Sequence, residues 1–509
     1  MTTQVAQLIQ PTPGPFFATL TLYFIILAGI GWYAARNTHN LKDFFVLGGK
    51  AGAVVSGIAY FATQYSMSTF MGVPAVAYAN GYAGLTISVP GLAFSMIIPA
   101  LLVGRKLMQL SHRFGLLTMT DYLADRYDSR KLGVLHAVMM VAFLIGMIGA
   151  QTVGAGVIVH TFTGLPEWVG VVGMGIIVIL YCMTGGMKGA MLTDVLQGGL
   201  MVTTAVVTFA VSVHAGGGLS EINAALLAKG EQFLSHPGAA GKDPWTAYVS
   251  MLVMWSFFPI GQPTLFTKFY AMRDYRTMFK AVILGTLGML LAATMIEWSG
   301  VMGIVSLPGL TGKETDFIVP MLLQQNLNPY VAAILIAGIV SAGMSTIDAL
   351  LVVATGGICR DIYQHGINPQ ATDEQVFRLS RIVTVLIGIA GIIVGIMKPA
   401  SIFELIRFSF GGLGIWVAPV LLGMYWKRAS LKAAFISVII GEVLYVSTAL
   451  WGQGLTFGFD PLIPTWTLTV VLMVVISLFD KPVDASVLER HFGKDAGSRP
   501  DTLPEPARA

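Results

Sequence analysis

The chain has 509 residues, 55% of them hydrophobic and only 11% charged, with a formal net charge of +4 and a mean hydropathy of +0.74. Ordinary soluble domains are about 25% charged, so a soluble fold is excluded and a single integral membrane domain is indicated. The two cysteines, Cys182 and Cys359, fall in separate apolar segments and give neither a disulfide framework nor a metal-ligand spacing.

Apolar runs of about 20 residues, the length that spans a bilayer, recur from end to end. Hydropathy predicts an all-α integral membrane protein with about 13 transmembrane helices, near 15–35, 53–80, 84–104, 133–159, 166–185, 189–213, 246–270, 278–305, 328–359, 379–397, 401–425, 430–452 and 465–480. The first run has no basic segment before it and no small-residue cleavage site, so it is expected to be a retained helix. Basic residues collect in alternate loops. Arg105, Lys106, Arg113, Arg126, Arg130 and Lys131 share one, and Lys268, Arg273, Arg276 and Lys280 another. Arg360, Arg378 and Arg381 fall in a third, and Lys427 and Arg428 in a fourth. The positive-inside rule then puts the N-terminus outside and the C-terminus in the cytoplasm of a plasma-membrane protein. The net charge thus reflects topology and implies no nucleic-acid partner. Residues 1–480 are expected to form one transporter domain, and the polar 481–509 a disordered cytoplasmic tail, too short for an output domain.

The second span reads "GIAYFATQYSMSTFMGVPAVAY", with Thr63, Gln64, Ser66, Ser68 and Thr69 in its middle, then Gly72 and Pro74. The seventh reads "VMWSFFPIGQPTLFTKFY", with Pro259, Gly261, Gln262 and Pro263 close together. Proline removes a backbone donor and clashes with the preceding turn. Unwound backbone at membrane depth is tolerated only where protein or a cavity surrounds it. The two breaks open successive groups of five helices, within about 53–213 and 246–425. Interrupted spans at matching places in two halves point to a secondary transporter built from inverted repeats.

The ninth span carries "SAGMSTIDALL", residues 341–351, in which Ala342, Ser345 and Thr346 share one helix face. Hydroxyls and carbonyls are hard oxygen ligands suited to a small cation. Alternatively, both hydroxyls bond back to their own helix.

The stretches "DFFVLGG", "GVPAVAY", "TGGMKGAMLTDVLQGGLM", "GQPTLFTKFYAMRD" and "GMSTIDALLVVATGGICRDIY" resemble the sodium:solute symporter family over about residues 15–450, and within it the pantothenate permeases. The resemblance implies a five-plus-five, leucine-transporter-like core and sodium-coupled import of a small organic solute by alternating access. A carboxylate such as pantothenate is the favoured solute. Another monocarboxylate, an amino acid or a neutral solute is the alternative, with a transporter-like sensor or a channel as readings from other classes. The resemblance places sodium on Ala62, Tyr65, Ala342, Ser345 and Thr346. Asp194 matches a family carboxylate near the ion's cytoplasmic exit. Where some members have two hydroxyls of a second sodium site, this chain has Asp348 and Ala349. Asp194 and Asp348 facing each other would need a cation between them or a shared proton. Otherwise Asp348 is hydrogen-bonded at a helix terminus.

Substrate candidates near the midplane are Gln64, Ser66 and Ser68 on the second span, and Trp255, Phe258, Pro259 and Gln262 on the seventh. Trp255 could equally be a packed tryptophan, and Gln262 could serve carbonyls freed by the prolines. Glu297 and Glu442 are further acids within apolar spans. Arg407 lies about two turns into the eleventh span, where a lone arginine is costly; its partner is expected to be Glu404, three residues earlier, or the solute's carboxylate. No HExxH, Walker A or GxSxG arrangement with the required context is present, so no enzyme is expected. The expected partners are sodium, a small organic solute and the lipid bilayer, with no obligate protein partner.

Overall fold

A computed structural model describes residues 8–36, 52–239, 245–452 and 456–493, and every regular element among them is helical. The motif at 43–49 lies outside the described residues. Among the described residues, ten helices are long and apolar enough to cross a membrane, or eleven when one strongly bent pair is taken as a single span; Ala53–Gln64 and Glu167–Leu180 are shorter apolar helices.

Helix α1 (Pro13–Ala35) precedes the first interrupted span. That span is α2 (Ala53–Gln64), a wide π turn at Ser68–Gly72, and α3 (Val73–Asn80). The break falls at Tyr65–Ser66, inside the polar cluster of Thr63 to Thr69 and upstream of Gly72 and Pro74. Tyr65 turns extended (φ −93°, ψ 106°). Polar side chains explain the position: the Met67 N–H donates 2.8 Å to Gln151 Oε1, and the Ser66 N–H 3.4 Å to Thr69 Oγ1. Such partners let a chain leave the helical ladder. Pro74 follows the π turn directly, within one continuous helical run from Met67 to Asn80.

Helix α4 (Tyr82–Pro99) runs through a π turn into α5 (Arg105–Phe114), and the short α6 (Met119–Arg126) leads to α7 (Arg130–Thr163). Spans were expected at 166–185 and 189–213, but the backbone is helical throughout α8 (Glu167–Ala215, 49 residues). The stretch between them holds glycines but no proline, so each N–H needed to continue the ladder is present. A short α9 (Leu219–Lys229) follows.

The second interrupted span is α10 (Trp245–Phe257), a 3₁₀ turn at Phe258–Gly261, extended Gln262, and α11 (Pro263–Ala271); its two parts are bent by 57°. Here the prolines do lie at the break. Gly261 allows close packing: a Cβ there would fall 2.1 Å from the Leu413 carbonyl oxygen. Lys268, expected in a cytoplasmic loop, instead lies within α11 and is only 1% exposed.

The remaining helices are α12 (Tyr275–Ser306), α13 (Ile318–Asn326), α14 (Pro329–Gly356, continued by a π stretch to Ile367), α15 (Asp373–Met397), α16 (Ile402–Ile415), α17 (Val417–Tyr425), α18 (Leu431–Trp451) and α19 (Leu462–Phe479). The first interrupted span packs along α12, and the second along α4.

The expectation of a disordered tail fails for its described part. Helix α20 (Ala485–Phe492) docks through buried Val487, and Asp125 of α6 accepts from Arg490 at 2.6 Å and lies 2.9 Å from His491 Nε2. Residues 494–509 lie outside the described residues.

Candidate functional site

The break after Gln64 frees carbonyls at the protein's centre, and α14 meets them with hydroxyls. Ser345 Oγ lies 2.9 Å from the Ala62 carbonyl oxygen and 3.2 Å from that of Ala342. The Ala342 carbonyl stands inside the ladder of α14 and that of Ala62 at the break, and the single Ser345 hydroxyl proton serves only one of them at a time. Thr346 Oγ1 is buried with no hydrogen-bond partner. Back-bonding therefore accounts for one of Ser345's contacts and for none of Thr346's. By contrast Ser341, a turn earlier, does bond back, 2.7 Å to the Ala337 carbonyl. Ala62, Tyr65, Ala342 and Ser345 are fully buried and Thr346 nearly so. Unsatisfied oxygens gathered in a dry core are costly unless something positive joins them.

Asp194 and Asp348 do not face each other alone. Lys268 donates to Asp194 Oδ2 at 2.8 Å, with both side chains inaccessible. Asp348 is 1% exposed, feels the charges of both Asp194 and Lys268, and has no hydrogen-bond partner on either oxygen. The sequence reading missed this ammonium because Lys268 was counted as a loop residue. Its signal was there: it lies only five residues past Pro263, inside the same apolar run.

The substrate candidates gather around the two breaks. Ser66, Ser68, Trp255, Phe258, Pro259 and Gln262 are buried, and Gln64 is half-buried. Gln64 Nε2, Ser68 Oγ and Gln262 Oε1 have no hydrogen-bond partner. The Trp255 ring packs edge-on to Phe258 (5.7 Å between centroids) and to Phe410 (5.4 Å), while Phe258 and Phe410 stack at 3.9 Å. Phe410, on α16, was not anticipated from the sequence, and nor was Gln151, the amide that holds the first break; its signal was a lone amide in an apolar span. Buried Glu297 lies near Tyr65, and buried Glu442 near the indole of Trp416.

Arg407 lies one turn before Phe410 on α16, and Glu404 is not its partner. The Glu404 carboxylate accepts from the Ser401 N–H (3.0 Å) and hydroxyl (2.9 Å), capping α16. Arg407 Nε instead lies 3.5 Å from Asp460 Oδ2, just before α19. Three residues of separation suggested a local pair, but the N-terminal cap of the helix is the better-placed use of that carboxylate.

Comparison with known proteins gives a consistent picture. The family model for "Sodium:solute symporter family" matches residues 44–441. The chain is 29% identical over 478 residues to a sodium/pantothenate symporter of Escherichia coli (strain K12), covering 92% of this chain and 98% of that protein. It is 24% identical over 495 residues to a sodium/proline symporter of the same organism, covering 95% and 96%. Among solved structures it is similar to a Na+-coupled sialic acid symporter in a substrate-bound outward-open state, with a TM-score of 0.79, 20% identity, and 92% and 99% coverage.

Proposed function

The chain belongs to the sodium:solute symporter family, a multi-pass membrane transporter with sodium as its coupling ion, and on that premise we propose that it imports a small organic carboxylate of the pantothenate kind by alternating access. The observation that carries the sodium part is the meeting of the Ala62 and Ala342 carbonyls with the Ser345 hydroxyl, beside the partnerless Thr346 hydroxyl. These four oxygens, with the carbonyl of Tyr65, form the sodium site. Loaded there, the ion ties the first interrupted span to α14. Solute binds between the two interrupted spans, against Trp255, Phe258 and Pro259, with Gln64, Ser66, Ser68 and Gln262 as polar contacts. The partnerless Gln64, Ser68 and Gln262 atoms support this placement, because a buried polar group without a partner is what a polar solute satisfies.

The domain reading is one transporter unit over residues 1–480, with thirteen spans and five-plus-five repeats at about 53–213 and 246–425. The reciprocal packing supports it: each interrupted span lies along the helix that follows the other one, as a two-fold relation between halves requires. Basic loops place the N-terminus outside and the C-terminus in the cytoplasm.

A second reading, a neutral or zwitterionic solute such as an amino acid, is favoured by the likeness to a sodium/proline symporter and by the lack of a buried basic side chain among the proposed contacts. A panel of solutes tested on the purified protein, with and without sodium, separates the two. A true substrate raises thermal stability, by about 2.7 kcal/mol at a hundredfold excess over its Kd, and does so more strongly in sodium. Stabilisation by proline but not by pantothenate or other monocarboxylates establishes the second reading. Stabilisation that is indifferent to sodium rejects the coupling scheme.

A further inference from the structure

We propose that Tyr23, on the first helix, is a positioning residue for the sodium site: its hydroxyl joins α8 to α14 one turn before Ser345 and so sets where the ion's hydroxyl ligands stand. The inference rests on the sodium site described above and adds to it a residue from outside both proposed repeats.

The seam between α8 and α14 carries the argument. Thr204 of α8 donates 3.0 Å to the Leu335 carbonyl of α14. At Gly338 the two helices come close, and a Cβ there would fall 2.9 Å from the Leu200 carbonyl oxygen. One step further along, Gln197 and Ser341 are joined by a third side chain. The Tyr23 hydroxyl stands 3.0 Å from Gln197 Nε2 and 2.8 Å from Ser341 Oγ. Contacts thus step back through α8, from 204 to 200 to 197, as they step forward through α14, from 335 to 338 to 341. The same helical steps bring the next rung to Asp194 and Ser345. The charges of Asp194 and Asp348 are both felt at the Tyr23 hydroxyl, in keeping with that placement.

The protons of this bridge have one arrangement. The Gln197 amide nitrogen can only donate. Ser341 spends its single hydroxyl hydrogen on the Ala337 carbonyl, at 2.7 Å. Tyr23 therefore accepts from Gln197 and donates to Ser341. Gln197 and Ser341 are fully buried and Tyr23 is 5% exposed, and bonds removed from water are the stronger for it. Because Ser341 is already satisfied within its own helix, the bond from Tyr23 adds nothing to the ladder of α14. What it fixes is the position of α14 against α8. Ser345 follows Ser341 by four residues on the same face, and it meets the Ala62 carbonyl at 2.9 Å. A site whose ligands stand about 1 Å out of place binds poorly.

Radiosodium binding to the purified full-length protein tests this role. Wild type should bind sodium saturably. Tyr23→Phe keeps the ring and removes only the bridging hydroxyl, and should weaken sodium about fivefold, the order of one buried hydrogen bond. Ser341→Ala removes the other end of the same bond and should act alike. The double variant should be no weaker than either alone, because the two changes delete one interaction. Solute affinity at saturating sodium should stay as in wild type, since none of these changes touches a proposed solute contact. Equal sodium affinity in Tyr23→Phe and wild type overturns the proposal, even where thermal stability falls, because the bridge is then a packing contact. A double variant weakened by the product of the single effects overturns it too. Should Tyr23→Phe not fold, Ser341→Ala alone decides. Lost sodium binding in S345A/T346A beside unchanged binding in Tyr23→Phe leaves the sodium site standing and rejects only the role of Tyr23. Unchanged binding in S345A/T346A rejects the site and the proposal with it.

Discussion

Ser345 and Thr346 show how two hydroxyls on one helix differ once their surroundings are known. Ser345 reaches across to the Ala62 carbonyl, while Thr346 has no partner at all. Replacing both with alanine removes two of about five ligands. Sodium activation of uptake should shift at least tenfold, or about 1.4 kcal/mol, while solute affinity in sodium-free buffer changes little, because coupling between two ligands is reciprocal. An unshifted activation curve in the double variant rejects the site. Arg407 makes a second case. With 38% of its side chain exposed, its contact with Asp460 is worth about 0–1 kcal/mol. Arg407→Gln and Asp460→Asn should therefore lower uptake to a similar small extent, and the double variant no further than either alone. Glu404→Gln should act separately, through the helix cap. Additive effects of the Arg407 and Asp460 changes would show that the two side chains work apart.

The interrupted spans and the terminal helix carry the argument at the level of elements. Both interrupted spans break where backbone donors are missing or served elsewhere, and both turn their breaks toward the core. Helix α20 is a different kind of element, held to α6 mainly by polar contacts. Burial pushes the Asp125 carboxyl up, but hydrogen bonds from His491 and Arg490 outweigh it and hold the group below the ordinary aspartate range. The sign follows. A carboxylate with a depressed pKa in the folded state adds stability that is present above its unfolded value, about 3.9, and is lost as pH falls through the folded value. Docking of α20 should thus persist at neutral pH and loosen only in strong acid. Asp125→Asn should loosen it at pH 7. Protease sensitivity of the 481–493 segment reads both effects, and equal protection of Asp125→Asn and wild type at pH 7 would count against the contact.

For the molecule as a whole, orientation is the property with the simplest test. The native cysteines are buried, which leaves the surface clear for introduced ones. A cysteine at exposed Glu231 should react with an impermeant maleimide added to intact cells, and one at exposed Arg378 only after the membrane is opened. The reverse pattern would invert the assignment. The whole molecule also explains why so many polar groups stand in an apolar core. They come from distant stretches of chain, Ala62 with Ser345, Met67 with Gln151, and Asp194 with Lys268. Each pair fastens elements that are far apart in the chain.

What the sequence determined by itself was whatever depends on local composition. The membrane class follows from apolar runs of bilayer length, because the bilayer acts on each span separately. The two interruptions were legible from proline and from polar clusters, and the shared face of Ala342, Ser345 and Thr346 from helical periodicity alone. Family motifs placed Ala62 and Tyr65 opposite that face. The tertiary structure decided what depends on partners far apart in the chain. It set the first break at Tyr65–Ser66, because the amide that stabilises it comes from α7. It took Lys268 out of its loop and gave it to Asp194, and it gave Arg407 to Asp460 while Glu404 capped its own helix. A buried charge is placed by whichever opposite charge the packing brings within reach, and residue spacing along one helix cannot show that.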